Sequence, residues 1–283
     1  MIQRLAVVGV GLLGGSVAKA ARAGGIAREI VGIGRDLGRL APARRDGVID
    51  VTTTDVTEGV RDAELIVLAA PVIANTRLLD MVWSAAPAEA IVTDVGSTKT
   101  DVVSAAQRLS AARPLAFVGS HPMAGSEQSG YGVARADLFQ NANVIVTPVD
   151  WTEPRALKVV TQFWEALGAR VSTLDPLTHD RVVAAISHLP HLVSDALVDA
   201  VVRFEPEALA FAARGFRDTT RIAASDPTVW TEIFLDNRAA LTACVAAFRA
   251  ALDDLERLVA AGDGQALATA LARIKSERET IGR

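Results

Sequence analysis

The first 174 residues alternate between short apolar runs and longer amphipathic stretches. Six of the apolar runs are rich in β-branched residues and end near Gly, Pro or Ser: 5–11, 29–34, 64–71, 90–97, 115–122 and 143–149. Helix-compatible stretches separate these runs, and residues 153–175 add a further helix and strand. Because strands that alternate with helices pair through crossover connections, this order predicts a doubly wound, mostly parallel sheet.

The strand pattern stops after Asp175, and the remaining sequence is compatible with helices. Residues 176–202 predict a helical run that Pro190 kinks or breaks. Residues 226–262 open with Asp226 as a plausible N-cap, and a last helix is expected over roughly 263–280. Long apolar helices in so short a segment lack enough surface to bury themselves, so we expect this part to pack against a second copy, as a homodimer.

Composition narrows the classes of function. The formal net charge is -4, and neither a basic run nor an acidic tail is present, so nucleic-acid binding is not expected. Cys244 is the single cysteine, which suits a reducing compartment. No apolar stretch reaches the roughly 20 residues needed to cross a bilayer, and no signal-peptide pattern follows Met1. A cytoplasmic protein without membrane contact is the prediction.

A glycine motif follows the first predicted strand and opens the first helix. Gly9 permits a tight turn, Gly11 lets the backbone approach a pyrophosphate, and Gly14 allows close packing of helix on strand. In this position the motif predicts a Rossmann-type dinucleotide site at the helix N-terminus. The backbone of this motif and the end of the 64–71 run supply further candidate cofactor contacts: Leu12, Leu13, Ala70 and Pro71.

The end of the second strand selects between the two nicotinamide cofactors. An NAD site usually has Asp or Glu there, whereas an NADP site has an arginine nearby. Gly34 stands at the acidic position and Arg35 follows it, which favours NADP. If Asp36 turns back towards the ribose, NAD remains possible.

His121 lies in the polar segment "GSHPMAGSEQSG", residues 119–130, which is predicted to be a loop. Ligands of open α/β sheets bind beyond the carboxyl ends of the strands, where both His121 and Ser97 are expected. Imidazole is the side chain best suited to accept a proton near neutral pH. A dehydrogenase base is therefore one interpretation of His121, and a histidine that only satisfies the loop backbone is the other.

The other three histidines fall within the helical run that begins at residue 176. His188 and His191 are three residues apart, but Pro190 lies between them and no third metal ligand is evident, so a polar face of a cleft is favoured over a metal site. Farther along, Asp218 is spaced to orient Arg221, which would then bind a carboxylate, although a simple helix salt bridge fits equally well.

Together these motifs resemble the prephenate/arogenate dehydrogenase family of tyrosine biosynthesis. The resemblance rests on "VGVGLLGGS", "DVGSTK", "GSHPMAGSEQSG", "HDRVVAAISHLPH" and "GFRDTTRIAASDPTVW" in this order, and it spans nearly the whole chain. It implies an N-terminal Rossmann domain, residues 1–174, and a helical substrate and dimerisation domain, residues 175–283. The implied reaction is an NAD(P)-dependent oxidative decarboxylation of prephenate or arogenate.

The resemblance also implies roles for individual residues. His121 matches the catalytic base, and Ser97 matches a serine beside the substrate hydroxyl and the nicotinamide. Arg221 matches the arginine that binds a substrate carboxylate. The other matches lie in or near the substrate pocket: His188, His191, Asp218, Glu127 at its mouth and Trp230.

The sequence departs from the family pattern at two positions, and three other protein classes are considered. Gly34 replaces the acidic residue of NAD-preferring members, and Arg214 stands where a glycine is expected. A β-hydroxyacid dehydrogenase would need a lysine in the helical domain, and residues 159–274 contain none. Pyrroline-carboxylate reductases do not call for a histidine segment like 119–130, whereas an NADP-binding sensor with a degenerate site stays open. The sequence does not separate prephenate from arogenate.

Overall fold

A computed structural model describes residues 1–126 and 128–281 of the chain. Within them, eight strands form one sheet in the order β3-β2-β1-β4-β5-β6-β7-β8. The strands are Ile2–Val8 (β1), Ala27–Ile33 (β2), Val51–Thr53 (β3), Leu65–Leu68 (β4), Ile91–Asp94 (β5), Ala116–Pro122 (β6), Asn143–Thr147 (β7) and Arg170–Thr173 (β8). The predicted doubly wound, mostly parallel sheet is confirmed.

One pair of neighbouring strands breaks the parallel pattern. β7 runs antiparallel to β6, with His121 opposite Ile145. β8 is parallel to β7, and the strands from β3 to β6 are parallel to one another. β3 was not predicted, because a three-residue strand at the edge of the sheet is too short to show a pattern.

Helices cover both faces of the sheet. On β1, Leu5 and Val7 belong to one buried apolar cluster, whereas Ala6 and Val8 belong to the other. This separation follows from the two-residue period of a strand, which directs alternate side chains to opposite faces. The helices among the strands are Leu12–Ala23 (α1), Leu37–Arg45 (α2), Val56–Val60 (α3), Val72–Ala85 (α4), Thr100–Ser110 (α5) and Pro154–Ala166 (α6).

The part after β8 is helical, as predicted. Its helices are Pro176–Val183 (α7), Leu189–Phe204 (α8), Arg214–Thr220 (α9), Pro227–Asp236 (α10), Arg238–Ala260 (α11) and Gly264–Thr280 (α12). Asp226 caps α10 by accepting a hydrogen bond from the N–H of Thr228 at 2.8 Å, so the predicted N-cap is confirmed. The predicted helix over 226–262 is interrupted at Asn237, between α10 and α11.

Pro190 does not end the helical run predicted over 176–202, because α7 continues through a π-helical segment into α8. The segment Ala184–His188 is π-helical, and Pro190 lies in the first turn of α8. The first turn tolerates proline because its backbone N–H groups have no intrahelical partner. The wider π turn ends at His188 and changes the helical phase before His191.

The structure divides into two compact units, residues 1–237 and 238–283. Helices α7 to α10 therefore belong to the same unit as the sheet, and the second unit contains α11 and α12. The boundary predicted between residues 174 and 175 stays a prediction. In the described part of the chain, no helix is both long and apolar enough to span a bilayer.

Candidate active site

The turn between β1 and α1 forms a cradle built from glycines. Gly9 has φ of +98°, and a Cβ atom there would lie 2.6 Å from the carbonyl oxygen of Ala69, at the end of β4. A Cβ at Gly14 would overlap the carbonyl oxygen of Gly9. At Gly11, by contrast, no described atom lies within 4 Å of the Cβ position. Gly9 and Gly14 therefore serve packing, whereas Gly11 keeps space open.

That open space lies at the N-terminus of α1. Gly11 is the N-cap residue and has no side chain to satisfy the first-turn N–H groups. Such N–H groups and the positive end of the helix dipole favour a phosphate. The turn also lies between β1 and β4, where the strand order reverses and dinucleotides bind in such sheets. The residues thus fit the pyrophosphate of a dinucleotide.

The two residues that follow Ala69 after β4 also have structural roles. The N–H of Ala70 donates to Oδ1 of the buried Asn75 at 3.1 Å, and Pro71 precedes the first turn of α4. Both remain candidate cofactor contacts through their position beside the Gly9 turn.

The end of β2 carries no acidic side chain at the position that usually binds a ribose. Gly34 follows the strand, and Arg35 is exposed. Asp36 caps α2, where its Oδ1 accepts from the N–H of Gly38 at 2.7 Å. The carboxylate of Asp36 is therefore engaged in its own helix, and Arg39 in the first turn of α2 adds a second exposed cation.

His121 lies near the end of strand β6, within the run 115–122 that was predicted to be a strand, so the segment 119–130 that was predicted to be a loop begins inside that strand. Its side chain is buried, and its backbone is paired with β7 opposite Ile145. The imidazole is thus fixed by the sheet, and the irregular segment begins only after Pro122. Ser97 lies in the connection after β5, the strand beside β6, and is half-buried. The two residues therefore follow neighbouring strands, as predicted.

Three side chains, those of His121, His179 and Asp180, form a hydrogen-bonded series that leads into the protein interior. His121 Nδ1 lies 2.9 Å from His179 Nε2, and His179 Nδ1 lies 2.8 Å from Asp180 Oδ1. His179 is fully buried and Asp180 nearly so. Both residues lie on α7, which packs against α5.

The N-terminus of α5 holds Asp180 in place. Asp180 Oδ1 accepts from the N–H of Lys99 at 2.8 Å, and Oδ2 accepts from the N–H of Thr100 at 2.9 Å. Burial raises the pKa of Asp180, but the hydrogen bonds from His179, Thr100 and Lys99 outweigh it and hold the pKa below the usual value. Asp180 is therefore an ionised acceptor at neutral pH.

An ionised Asp180 determines the tautomers of both histidines. His179 Nδ1 must carry the proton that it donates to Asp180, so neutral His179 has a bare Nε2. His121 Nδ1 must then donate to that nitrogen, which leaves the lone pair of His121 on Nε2. Burial, followed by the nearby charges of His179 and Lys99, holds the pKa of His121 well below its ordinary value. His121 is thus a neutral base.

A buried ion pair lies beside this series of side chains. Lys99 Nζ contacts Asp94 Oδ2, and both side chains are almost fully buried. Asp94 Oδ1 also accepts from the N–H of Ser120, the neighbour of His121, at 3.1 Å. A Cβ at Gly119 would lie 2.5 Å from Thr147 Oγ1 and 3.2 Å from Lys99 Cδ, so this glycine leaves room for both side chains. The pair ties the start of α5 to the strand that carries His121.

His188 lies in a second buried polar contact. Asn237 Nδ2 donates to the carbonyl oxygen of Asp180 at 2.8 Å and lies 3.1 Å from His188 Nδ1. Because an amide nitrogen only donates, His188 Nδ1 must accept, and its proton is on Nε2. No described residue pairs with this buried Nε2. Burial lowers the pKa of His188 to about 4, so it offers a neutral N–H donor.

His191 and Trp230 form an aromatic contact between α8 and α10. Their rings stack with 3.4 Å between centroids and 19° between planes, and Phe234 lies 5.4 Å from Trp230. Trp230 also meets His188 edge-on at 6.2 Å. Burial lowers the pKa of His191. The structure therefore brings His188, His191 and Trp230 together.

Asp218, the predicted support of Arg221, contacts another arginine on its own helix. Asp218 Oδ2 accepts from Arg214 Nε at 3.2 Å, four residues earlier on α9, and both side chains are exposed. Arg214, which stands where a glycine was expected, thus contacts Asp218. Arg221 begins the 3₁₀ turn Arg221–Ala224 and is exposed. Its support by Asp218 stays a prediction, and Glu127 lies outside the described residues.

The sequence interpretation missed the groups behind His121. His179 was seen as one of several histidines, and Asp180, Lys99 and Asn237 were not singled out. The adjacent "HD" at the start of a predicted helix is the one local signal for the His179–Asp180 contact. Among residues 1–126 and 128–281, no three His, Cys, Asp or Glu side chains are grouped as metal ligands.

Two family profiles match the chain. The profile described as "Prephenate dehydrogenase, nucleotide-binding domain" matches residues 17–173. The profile described as "Prephenate dehydrogenase, dimerization domain" matches residues 175–273.

Individual relatives agree with these profiles. Prephenate dehydrogenase of Bacillus subtilis (strain 168) is 37% identical over 242 residues, which cover 84% of this chain and 65% of the relative. The chain thus spans just under two thirds of that relative's length.

Solved structures agree as well. The crystal structure of prephenate dehydrogenase from A. aeolicus with hydroxyphenyl propionate and NAD+ has a TM-score of 0.93 at 33% identity, covering 99% of both chains. Synechocystis arogenate dehydrogenase has a TM-score of 0.84 at 31% identity, covering 98% of this chain and 99% of the other.

Proposed function

Because this chain belongs to the prephenate dehydrogenase family, we propose that it catalyses the oxidative decarboxylation of prephenate to 4-hydroxyphenylpyruvate or of arogenate to tyrosine. The observation that carries this proposal is the neutral imidazole of His121, oriented by His179 and Asp180 at the carboxyl edge of the sheet. A rigid base on a sheet that also carries a dinucleotide cradle is what dehydrogenation of a ring alcohol requires.

The glycine cradle of Gly9, Gly11 and Gly14 would hold the pyrophosphate of the cofactor. A bound nicotinamide supplies the hydride acceptor. NADP is the proposed form, because Gly34 leaves the ribose position without a carboxylate and Asp36 is engaged with Gly38. Arg35 is the proposed partner of a 2′-phosphate, and NAD binding by the A. aeolicus relative keeps NAD as the alternative.

His121 is the proposed base, and Ser97 its neighbour at the substrate hydroxyl. His121 Nε2 accepts the hydroxyl proton as hydride leaves the same carbon. When the ring carboxylate departs as carbon dioxide, the electron pair of the broken bond makes the ring aromatic. The phenol product keeps a hydroxyl group, so the proton returns from His121 to the ring oxygen. The protein therefore orients the substrate and holds a proton for the duration of one turnover.

Arg221 is the proposed partner of a substrate carboxylate, since a guanidinium binds it through two parallel hydrogen bonds. His188 offers its unpaired Nε2–H to a second acceptor oxygen, and a neutral donor suits this buried position. His191 and Trp230 would pack on the substrate, with Asp218 and Glu127 at the edge of the pocket.

The proposed enzyme is a cytoplasmic homodimer formed through its helices. Large apolar side chains are exposed in the helical part, with Phe204 91% and Phe211 84% exposed. A second copy would cover such side chains, in agreement with the profile described as a dimerisation domain. Cys244 is a free thiol, which suits a reducing compartment.

A four-way assay tests the proposal. Prephenate and arogenate are each incubated with NAD and with NADP, and reduced nicotinamide is followed by absorbance. Turnover in one combination supports the proposal, and the fastest combination identifies substrate and cofactor. His121→Asn should bind the cofactor unchanged and lose about 100-fold in kcat. Cofactor binding with no turnover in all four combinations would instead indicate a nucleotide sensor.

A further inference from the structure

His179 is a buried histidine that the proposed function does not use directly. Its side chain has no exposed surface and lies between the base His121 and the carboxylate of Asp180. A histidine needed only for packing does not require an ionised partner. Here both ring nitrogens are engaged, one at 2.9 Å and the other at 2.8 Å.

Charges are distributed unequally along this series of side chains. Burial, then the charge of His179 and then the ammonium group of Lys99 lower the pKa of His121 and disfavour a second proton there. Asp180, at the far end, is in direct contact with His179 and stabilises a positive charge on it. A cation at the His179 end is therefore favoured over one on His121.

The other polar groups near the two histidines do not change this preference for a positive charge on His179 over His121. Asp94 is paired with Lys99, and the buried His188 has a pKa of about 4, so it stays neutral. Asp236 on α10 accepts from Thr98 Oγ1 at 2.5 Å, and its pKa is raised by burial. Asn237 is a neutral donor to the Asp180 carbonyl oxygen.

We propose that His179 is a relay residue that receives the proton passed on by His121, so that the positive charge rests between His179 and Asp180 during turnover. The proposal rests on His121 being the base of the proposed function. A proton that arrives at His121 Nε2 displaces the proton on His121 Nδ1, which moves 2.9 Å to His179 Nε2. At His121 one N–H bond forms and one breaks, whereas His179 gains an N–H bond at Nε2, keeps its proton on Nδ1 and becomes a cation beside the ionised Asp180.

A buried reservoir of this kind suits the proposed chemistry. The phenol product keeps its hydroxyl group, so the proton must come back, and no net proton is released to solvent. His121 is 7% exposed and His179 is 0% exposed, so the relay ends inside the protein. The return transfer restores both tautomers for the next turnover.

Because the chain contains four histidines, nitrogen NMR of protein labelled with 15N-histidine tests the relay. The cofactor-bound enzyme is used, and signals are assigned with single His→Gln variants. At neutral pH, His121 and His179 should each carry their proton on Nδ1. On acidification, the first proton of the pair should appear on His179 Nε2. Protonation of His121 Nε2 while His179 Nε2 remains bare would overturn the proposal.

Asp180→Asn provides the kinetic test. Without the carboxylate, the pair holds a proton less well, so kcat/KM should fall about 100-fold. The acidic limb of its pH profile should also move to lower pH. Asp175→Asn is the matched control, because Asp175 caps the same helix through Thr178 at 3.0 Å and is far less buried. A loss in Asp180→Asn with an unmoved acidic limb would indicate a merely structural role and overturn the relay.

The two proposals fail in different ways. Silence in the four-way assay together with the expected order of protonation would reject the proposed substrates but support His179 as the proton acceptor of the pair. Turnover together with the opposite order would reject the relay and support the proposed function.

Discussion

His191 stacks face to face on Trp230, with ring centroids 3.4 Å apart and planes 19° from parallel. The contact joins α8 to α10, and Phe234 extends it at 5.4 Å from Trp230. Burial keeps the pKa of His191 below its usual value, so the stacked imidazole is neutral at pH 7. An uncharged aromatic surface of this kind suits the ring of a substrate better than its carboxylates.

Trp230→Ala should therefore weaken substrate binding and leave the cofactor unaffected. Loss of one aromatic stacking contact, worth about 1 kcal/mol, raises the substrate KM by roughly five- to tenfold. Steady-state kinetics measure this KM, and cofactor titration supplies the comparison. Trp230→Phe should keep part of the contact. An equal loss of cofactor affinity would show that Trp230 does not act on the substrate side.

The glycines of the cradle should separate folding from cofactor binding. Gly9→Ala forces a side chain into a positive φ and to 2.6 Å from the Ala69 oxygen, so its melting temperature should fall. Gly11→Ala meets no described atom within 4 Å, so it should melt like the wild type but bind the dinucleotide at least tenfold more weakly. Calorimetry and cofactor titration measure the two effects. Unchanged cofactor affinity in Gly11→Ala would place the pyrophosphate elsewhere.

The residue after β2 should control the choice of cofactor. Gly34→Asp introduces the missing carboxylate, which accepts hydrogen bonds from a ribose and repels a 2′-phosphate. A Cβ there lies 3.1 Å from the end of the Leu40 side chain, which must shift slightly. The ratio of the Kd for NAD to the Kd for NADP should fall by about tenfold or more. A ratio that does not change would remove Gly34 and Arg35 from the cofactor site.

The buried Lys99–Asp94 pair should contribute more to the free energy of unfolding than a lysine on the surface does. Lys99→Met leaves the Asp94 carboxylate buried without its cation, so the free energy of unfolding should fall by about 3–5 kcal/mol. The double variant Asp94→Asn/Lys99→Met should recover much of that loss. Lys158→Met, at an exposed position of α6, should change it by less than about 0.5 kcal/mol. Denaturant titration measures these free energies of unfolding. If the losses from the two single substitutions simply added in the double variant, the pairing of Lys99 with Asp94 would be contradicted.

Buried neutral histidines should make the protein sensitive to acid. The folded pKa of His188 is about 4, against an ordinary value of 6.5, so the unfolded chain binds its proton first as the pH falls. Stability is then complete above about pH 6.5 and decreases down to about pH 4, by about 1 kcal/mol per pH unit for this group. His121 and His191 act in the same direction. Denaturant titrations at several pH values measure this dependence. In His188→Gln the free energy of unfolding should fall less steeply as the pH decreases. A fall as steep as that of the wild type would refute the assignment.

The sheet was predictable because each buried strand is a short β-branched run that ends at a turn residue. The alternation with helices predicted parallel pairing, but not the reversal of β7, since the run at 143–149 is equally apolar in either direction. The irregular part of the segment 119–130 begins only after Pro122, four residues later than its first residue, because His121 pairs with Ile145 of β7; the strand end at residue 122 agrees with the predicted run 115–122.

The candidate site was predictable only where one residue and its local motif carry the chemistry. Gly11 and His121 have such motifs, whereas the contacts behind His121 join residues far apart in the chain. Lys99 and Asp180 are 81 positions apart, and their contact depends on α7 packing against α5. No local pattern contains that information, so His179 stood out only in the structure.

The reversal of β7 also determines where the chain between Pro122 and Asn143 must run. A parallel neighbour would have required a crossover along a face of the sheet to its opposite edge. An antiparallel neighbour starts beside the end of β6, so these twenty residues begin and end at the same rim as His121. Within this segment residues 125–126 and 128–130 are exposed, whereas Tyr131, Leu138 and Phe139 pack into the core. Insertions or deletions in the exposed stretch would change what covers the rim without shifting the register of any strand, whereas changes in the buried stretch would disturb the core.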